Sequence, residues 1–257
     1  GASAAELLAS LPDFLGAREL RSVALAIVAA RKADRPVVFA LGGHVVKVGC
    51  SPVIIDLMRR GWVSALACNG ATAIHDVEAA TFGQTSEDVA ANLASGEFGM
   101  VSETAEFFAQ AAVRGANDNV GLGRAVGQLL TERSPEHLPI SLLATASELG
   151  LPATVHVAWG TDTVHMHPQV DAAAMGRASG TDFRLLCSVV QDLGADPPDA
   201  PGGVWCNVGS AVILPEVFLK AVTVARNLGA RLEGMVTANF DMLGHYRPRQ
   251  NVITRPV

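Results

Sequence analysis

The chain is poor in charge. Only 17% of its 257 residues are Asp, Glu, Lys or Arg, and the net charge is −6. It contains no basic run and no Lys/Arg stripe, which argues against nucleic acid as the main partner. No apolar stretch reaches the roughly 18 residues that a membrane helix needs. Segments such as Pro36–Leu41 and Val63–Ala67 are short and read as buried strands. Its four cysteines, Cys50, Cys68, Cys187 and Cys206, are scattered among apolar neighbours, and no CxxC pair occurs. They read as reduced core cysteines, which fits a cytoplasmic protein and excludes a disulfide framework. The fingerprints GxGxxG, GxxxxGK[ST] and HExxH are all missing. The standard dinucleotide, P-loop and zinc-protease readings therefore have no motif behind them.

What is there is apolar. Nearly half the residues, 49%, are hydrophobic. So much apolar matter with so little charge predicts a large core and surface buried between subunits, hence a homodimer or homotetramer. A helical segment over residues 1–34, broken near Pro12-Asp13, precedes an α/β domain over 35–257. Apolar runs predict strands over Val37–Leu41, Trp62–Ala67, Thr154–Ala158, Val204–Val208 and Leu232–Thr237. Helices are expected over Pro52–Arg60, Glu103–Arg114, Leu122–Leu130, Ile140–Leu149, Thr181–Leu193 and Pro215–Leu228, with another capped by Thr85 or Ser86. Asp196–Gly203 reads as a surface loop rich in Pro and Gly. Strands that are continuously apolar and alternate with helices predict a single Rossmann-like domain: a mostly parallel sheet with helices on both faces.

Ligands of such sheets bind beyond the carboxyl ends of the strands. Each predicted strand runs into polar residues there. The first leads into Gly42-Gly43-His44 and the second into Asn69-Gly70, followed by His75-Asp76. The third leads into Thr161-Asp162 and His165-Met166-His167. Asn207, Ser210 and Asp241 close the remaining two. Five such ends together make a site. Taken alone, Gly42-Gly43 reads as a tight turn before it reads as a diphosphate cradle. His165 and His167 can chelate at i, i+2, yet no third ligand stands at a metal-site spacing, so acid/base roles are preferred and no metal is expected. Lys220 has two readings. It is either a snorkelling partner of Glu216, four residues earlier on one helix face, or a desolvated nucleophilic amine.

In the order of these motifs the chain resembles the deoxyhypusine synthase family. The resemblance rests on Val38-Phe39-Ala40-Leu41-Gly42-Gly43, Ala67-Cys68-Asn69-Gly70-Ala71, Ile74-His75-Asp76, Leu151–Asp162 and Gly209–Lys220. It is closest to prokaryotic deoxyhypusine synthase-like proteins, which share Thr85-Ser86-Glu87-Asp88, Phe98-Gly99-Met100, His165-Met166-His167-Pro168 and His245-Tyr246-Arg247-Pro248. The family implies a homotetramer and a cytoplasmic NAD-dependent transferase that oxidises a polyamine and passes an alkylamine through a lysine imine. In that scheme Lys220 is the nucleophile with Glu216 beside it, and His75, Asp76, His165 and His167 line the substrate. NAD is held by Gly42, Gly43, His44, Asn69, Gly70, Thr161, Asp162, Asn207, Ser210 and Asp241. Histidines stand where the family's polyamine site carries carboxylates, which widens the substrate to smaller or less charged amines. Two alternatives accompany this reading. One keeps NAD but ends in elimination, cyclisation or hydrolysis of a small amino acid or hydroxylated metabolite, as in the ornithine cyclodeaminase domains that residues 42–86 loosely resemble. The other is an NAD-binding sensor without catalysis.

Overall fold

The computed structural model describes residues 3–197 and 199–257. Gly1 and Ala2 of the expected helical segment, and Pro198 of the expected Pro/Gly loop, lie outside them. In chain order the elements are α1 (Ala4–Ser10), α2 (Leu15–Lys32), β1 (Val37–Leu41), α3 (Gly43–Lys47), α4 (Ser51–Arg59), β2 (Ala65–Asn69), α5 (Gly70–Phe82), α6 (Val89–Ser95), α7 (Ser102–Asn117), α8 (Leu122–Arg133), α9 (Leu142–Glu148), β3 (Ala153–His156), α10 (Ala172–Gln191), β4 (Val204–Val208), α11 (Ile213–Asn227) and β5 (Val236–Phe240). A short helix, α12 (Tyr246–Pro248), and a π-helical turn (Arg249–Thr254) follow.

The strands form one sheet in the order β3-β2-β1-β4-β5, and every pairing among the described residues is parallel. That order has a cause. Three strands are laid down outward from β1, and the chain then returns to add β4 on the other side of β1. Connections of the same hand therefore leave on opposite sides of the β1/β4 boundary, and a crevice opens beyond their carboxyl ends.

Period-2 alternation sorts the strand residues onto two faces. Leu41, Leu66, Cys68, Ala153 and Val155 pack with α3, α5, α7, α8 and α9. Val37, Val204, Cys206 and Ala238 share that side with Ala30 of α2. Val38, Ala40, Ala65, Ala67 and Trp205 face the opposite way, against α11 and the C-terminal half of α10. There the Trp205 ring stacks on Phe218, 4.1 Å between centroids. Both rings are fully buried, at about 1.5–3 kcal/mol each from apolar burial.

Two buried aspartates tie helices together. Asp76 accepts from the Ser141 hydroxyl and from the Leu142 and Leu143 amides (2.7, 2.7 and 3.1 Å), so it caps α9. Asp182 accepts from Gly123 at 2.9 Å and Val155 at 2.8 Å, joining α10 to α8 and β3. Gly123 has no freedom to be anything larger, since a Cβ would stand 2.1 Å from the Ala153 carbonyl.

The elements depart from the sequence reading in several places. A helix, α5, fills what reads as a polar strand-end turn. Asp88, not Thr85 or Ser86, caps α6. α10 starts nine residues before Thr181. β2 and β5 begin later than their apolar runs, because Val63, Leu232 and Met235 are buried from loops that enter the strands. Cys50 is exposed, whereas the other three cysteines are buried. Among the described residues no helix is long and apolar enough to cross a membrane.

Candidate active site

The carboxyl edge of the sheet holds two adjoining compartments. The first is the crevice between β1 and β4. Its floor is glycine: the Gly42 amide donates to the Val208 carbonyl at 2.9 Å, and a Cβ on Gly42 would stand 2.1 Å from the Gly209 carbonyl oxygen. Gly209 itself sits at φ 65°, with an ordinary 3.5 Å to Val45 as the nearest approach for a Cβ. Asn207 is fully buried and donates to Ser210 O and to Asn239 Oδ1 (2.9 and 2.7 Å). Its own Oδ1 has no partner among the described residues. Ser210 Oγ accepts from the Leu214 amide at 3.3 Å and so holds the start of α11, whose dipole points into the crevice.

The second compartment is a cavity of about 360 Å³ over α5. Its walls come from α3, α5, the segment 84–101 and the turn 161–163, with Lys47, His75, Glu78, Thr85, Glu87, Phe98 and Asp162 among the lining residues. α5 exists because Asn69 accepts from the Thr72 amide at 2.8 Å and Gly83 ends the helix at φ 70°. The 3.6-residue period then puts His75 and Glu78 on the cavity face and Asp76 on the core face. The compartments share a wall: a Cβ on Gly43 would lie 3.1 Å from the His75 ring.

Within the cavity His75 Nδ1 lies 2.7 Å from Thr85 Oγ1, which donates to Glu78 Oε2. Thr104 Oγ1 reaches Glu78 Oε1 at 3.4 Å. Burial pushes the Glu78 carboxyl up, but the His75 ring, its Nδ1 3.7 Å away, and the Thr85 hydroxyl outweigh it and hold the group below its usual range. Asp162 packs on the start of α5, where a Cβ on Gly70 would stand 2.1 Å from its Oδ2, and accepts from the Ala158 amide at 3.0 Å. Burial raises its affinity for a proton. Glu87 is occupied, with its oxygens on the Gly99 amide and Asn92 Nδ2, 2.8 Å each.

The structure divides the residues expected from sequence. Gly42, Gly43, Asn207 and Ser210 meet at the crevice, and His75, Thr161 and Asp162 line the cavity. Gly70 gives Asp162 room at the start of α5, while Asn69 serves as that helix's cap. His44 and Asp241 are exposed; Asp241 accepts from the Leu243 amide at 3.1 Å. Asp76 is 1% exposed and points away from the cavity into the core. His165 is buried under Trp159, their rings 4.4 Å apart and stacked. Desolvation lowers its affinity for a proton. His167 lies 3.2 Å from the Gly99 carbonyl. Among the described residues no three His, Cys, Asp or Glu cluster as a metal site. Lys220 is on neither compartment wall: its side chain is 57% exposed and paired to Glu216, which also holds Arg247 and Asn251 (3.3 and 2.9 Å). Glu78 and Thr85 escaped the sequence reading as site residues. The signal was present, since His75 and Glu78 stand at i, i+3 in a segment bounded by Asn69 and Gly83, a helix cap and a helix stop.

A family model described as arginine dihydrolase ArgZ-like, C-terminal, Rossmann fold matches residues 21–106. No curated protein matches the chain. Among solved structures, unliganded AgrE is 13% identical over 93% of this chain and 31% of its own, at a TM-score of 0.51. The ternary complex of AgrE with ornithine and NAD+ is 13% identical over 84% and 30%, at 0.47. Apo ArgZ, an arginine dihydrolase from the ornithine–ammonia cycle in cyanobacteria, is 17% identical over 77% and 27%, at 0.43. The chain spans less than a third of the length of each of these structures.

These findings overturn the resemblance to deoxyhypusine synthase. The turns at Gly42-Gly43, Asn69-Gly70 and His75-Asp76 that suggested it fall inside a match to an ArgZ-like Rossmann domain, and the fold likeness is to AgrE. The transferase assignment falls with it. The geometry agrees, because a lysine imine requires a desolvated amine facing the substrate, and Lys220 is an exposed ion-pair partner on another part of the surface. The looser likeness of residues 42–86 to ornithine cyclodeaminase domains lies inside the matched stretch.

Proposed function

We propose that the chain is an NAD-dependent enzyme of the lyase, cyclodeaminase or hydrolase kind, acting on a small amino acid. The observation that carries this reading is an adjacency: the glycine turns at the switch point of a Rossmann sheet lie beside a cavity lined by His75, with Gly43 packed against the His75 ring. The crevice suits a dinucleotide. Gly43 and Gly209 leave backbone accessible for close approach, the start of α11 favours a diphosphate, and Asn207 Oδ1 is a buried acceptor without a partner among the described residues. NAD, when bound, would accept a hydride, the two electrons of a C–H bond on the carbon that bears the amine or hydroxyl.

The cavity suits an amino acid. Lys47 is the cation among its lining residues and fits a carboxylate, whereas Asp162 fits an ammonium group. Ile74, Phe82 and Phe98 supply an apolar wall for the chain between them. The match to an ArgZ-like domain and the fold shared with AgrE, a protein solved with ornithine and NAD+, support the same substrate class. The test is a panel of amino and diamino acids incubated with the protein and NAD+, followed by mass spectrometry of substrate loss and assay of released ammonia. Consumption of one member that requires NAD+ is expected. A protein that binds NAD+ but consumes no member would refute the substrate class.

A further inference from the structure

We infer that His75 acts as a base through Nε2, its tautomer fixed by Glu78 acting through Thr85. The role as a base rests on the proposed function, but the tautomer follows from the chain alone. A threonine hydroxyl has one hydrogen. Glu78 takes hydroxyl hydrogens at both oxygens, from Thr85 on Oε2 and from Thr104 on Oε1, the pattern of an ionised carboxylate, which only accepts. The hydrogen of Thr85 Oγ1 therefore goes to Glu78 Oε2. Thr85 Oγ1 can then only accept from His75, 2.7 Å away, so Nδ1 carries the ring hydrogen. Nε2 is left with its lone pair and has no hydrogen-bond partner among the described residues.

Three elements hold the relay. His75 and Glu78 stand one turn apart on α5, with side chains 18% and 16% exposed. Thr85 comes from the following loop, next to Ser86 at a left-handed φ of 79°. Thr104 of α7 contacts the far oxygen of Glu78. The arrangement is that of a base oriented by a carboxylate, with a hydroxyl spliced between them.

In the reaction, Nε2 takes one proton from the ammonium nitrogen of the bound amino acid. The nitrogen gains a free lone pair, and the imidazole becomes an imidazolium whose Nδ1–H points at Thr85 and, through it, at the negative charge of Glu78. The freed lone pair would then assist loss of a hydride from the adjoining carbon, for which NAD, when bound, would be the acceptor. His75 is thus the catalytic group, and Thr85 and Glu78 are positioning residues.

The test is long-range nitrogen–proton NMR on the full chain at about pH 8, where an ordinary imidazole is neutral. His75 is expected to show a single Nδ1–H tautomer. Thr85→Val should release it to the mixture typical of free imidazole, and Thr85→Ser should restore it. A wild-type His75 in the Nε2–H form, or a Thr85→Val spectrum unchanged from wild type, would overturn the inference. These spectra need neither cofactor nor substrate, so they fail separately from the proposed function. With the substrate in hand, Thr85→Val should lower kcat at least tenfold with KM within twofold, and Thr85→Ser should recover most of the loss. An unchanged kcat in Thr85→Val would equally refute the role.

Discussion

Two helices beside the carboxyl edge each carry a basic side chain one turn from an acid: His75 with Glu78 on α5, and Lys220 with Glu216 on α11. The sequence singles out only the second pair, with Lys220 as a snorkelling ion-pair partner or a nucleophile. In the fold they differ in surroundings. His75 and Glu78 are mostly buried, joined by a third residue from another element, and open onto a cavity. Lys220 faces solvent, and Glu216 spends its second oxygen on Arg247 and Asn251, fastening the C-terminal turns to α11. A helix-spaced acid–base pair becomes chemistry when water is excluded and a partner fixes its geometry. Without those it is an ion pair worth little.

The sharpest break of this comparison is His75→Ala. Turnover is expected to fall by about 10²–10⁴-fold, the usual size of a lost acid/base group, while the melting temperature barely moves. A variant with wild-type turnover would put the chemistry elsewhere. Next in size is the neighbour that faces the other way. Asp76→Ala strips a hydroxyl and two amides of α9 of their acceptor and should destabilise the fold by on the order of 3–5 kcal/mol in urea titrations. A loss under about 1 kcal/mol would mean that α9 caps itself without Asp76.

The buried aspartates also set a pH dependence. Burial raises Asp76 to about 6 and Asp182 to about 7, from an ordinary 3.8. Both folded-state values lie above the unfolded one, so the stability linked to their protonated forms is whole below about pH 4 and is lost as pH rises through about 6 and then 7. Urea midpoints should therefore fall between about pH 4 and pH 7, and Asp182→Asn should flatten that slope. The smallest effect belongs to the exposed pair. Lys220→Met should leave turnover within twofold and cost about 0–1 kcal/mol of stability. A large drop in turnover would restore the lysine to the site.

The same comparison explains what could be read from the sequence. The parallel sheet was legible because β1 is an unbroken apolar run, β4 is broken only by Asn207, and both lead into glycine turns; Gly42, Gly43, Asn207 and Ser210 lie together at those strand ends. The cavity was only half legible. Residues 70–82 look like a polar turn after a strand because they open with Gly70 and Thr72 and carry His75 and Asp76. Without α5, the period that places Glu78 beside His75 and turns Asp76 inward cannot be drawn. Thr85 looks like a helix cap by type, yet its hydroxyl is spent on His75 and Glu78, and Asp88 does the capping. The burial of His165 beneath Trp159 and the exposure of Lys220 depend on packing between distant segments, which no local pattern encodes.

The glycine crevice is expected to hold a dinucleotide next to His75. Calorimetric titration of NAD+ into the full chain tests it most directly. Saturable binding of one NAD+ per chain is expected, weakened at least tenfold by Gly209→Val and unchanged in Lys220→Met. Absence of binding to the wild type, with and without an amino acid present, would mean that the crevice is not a dinucleotide site.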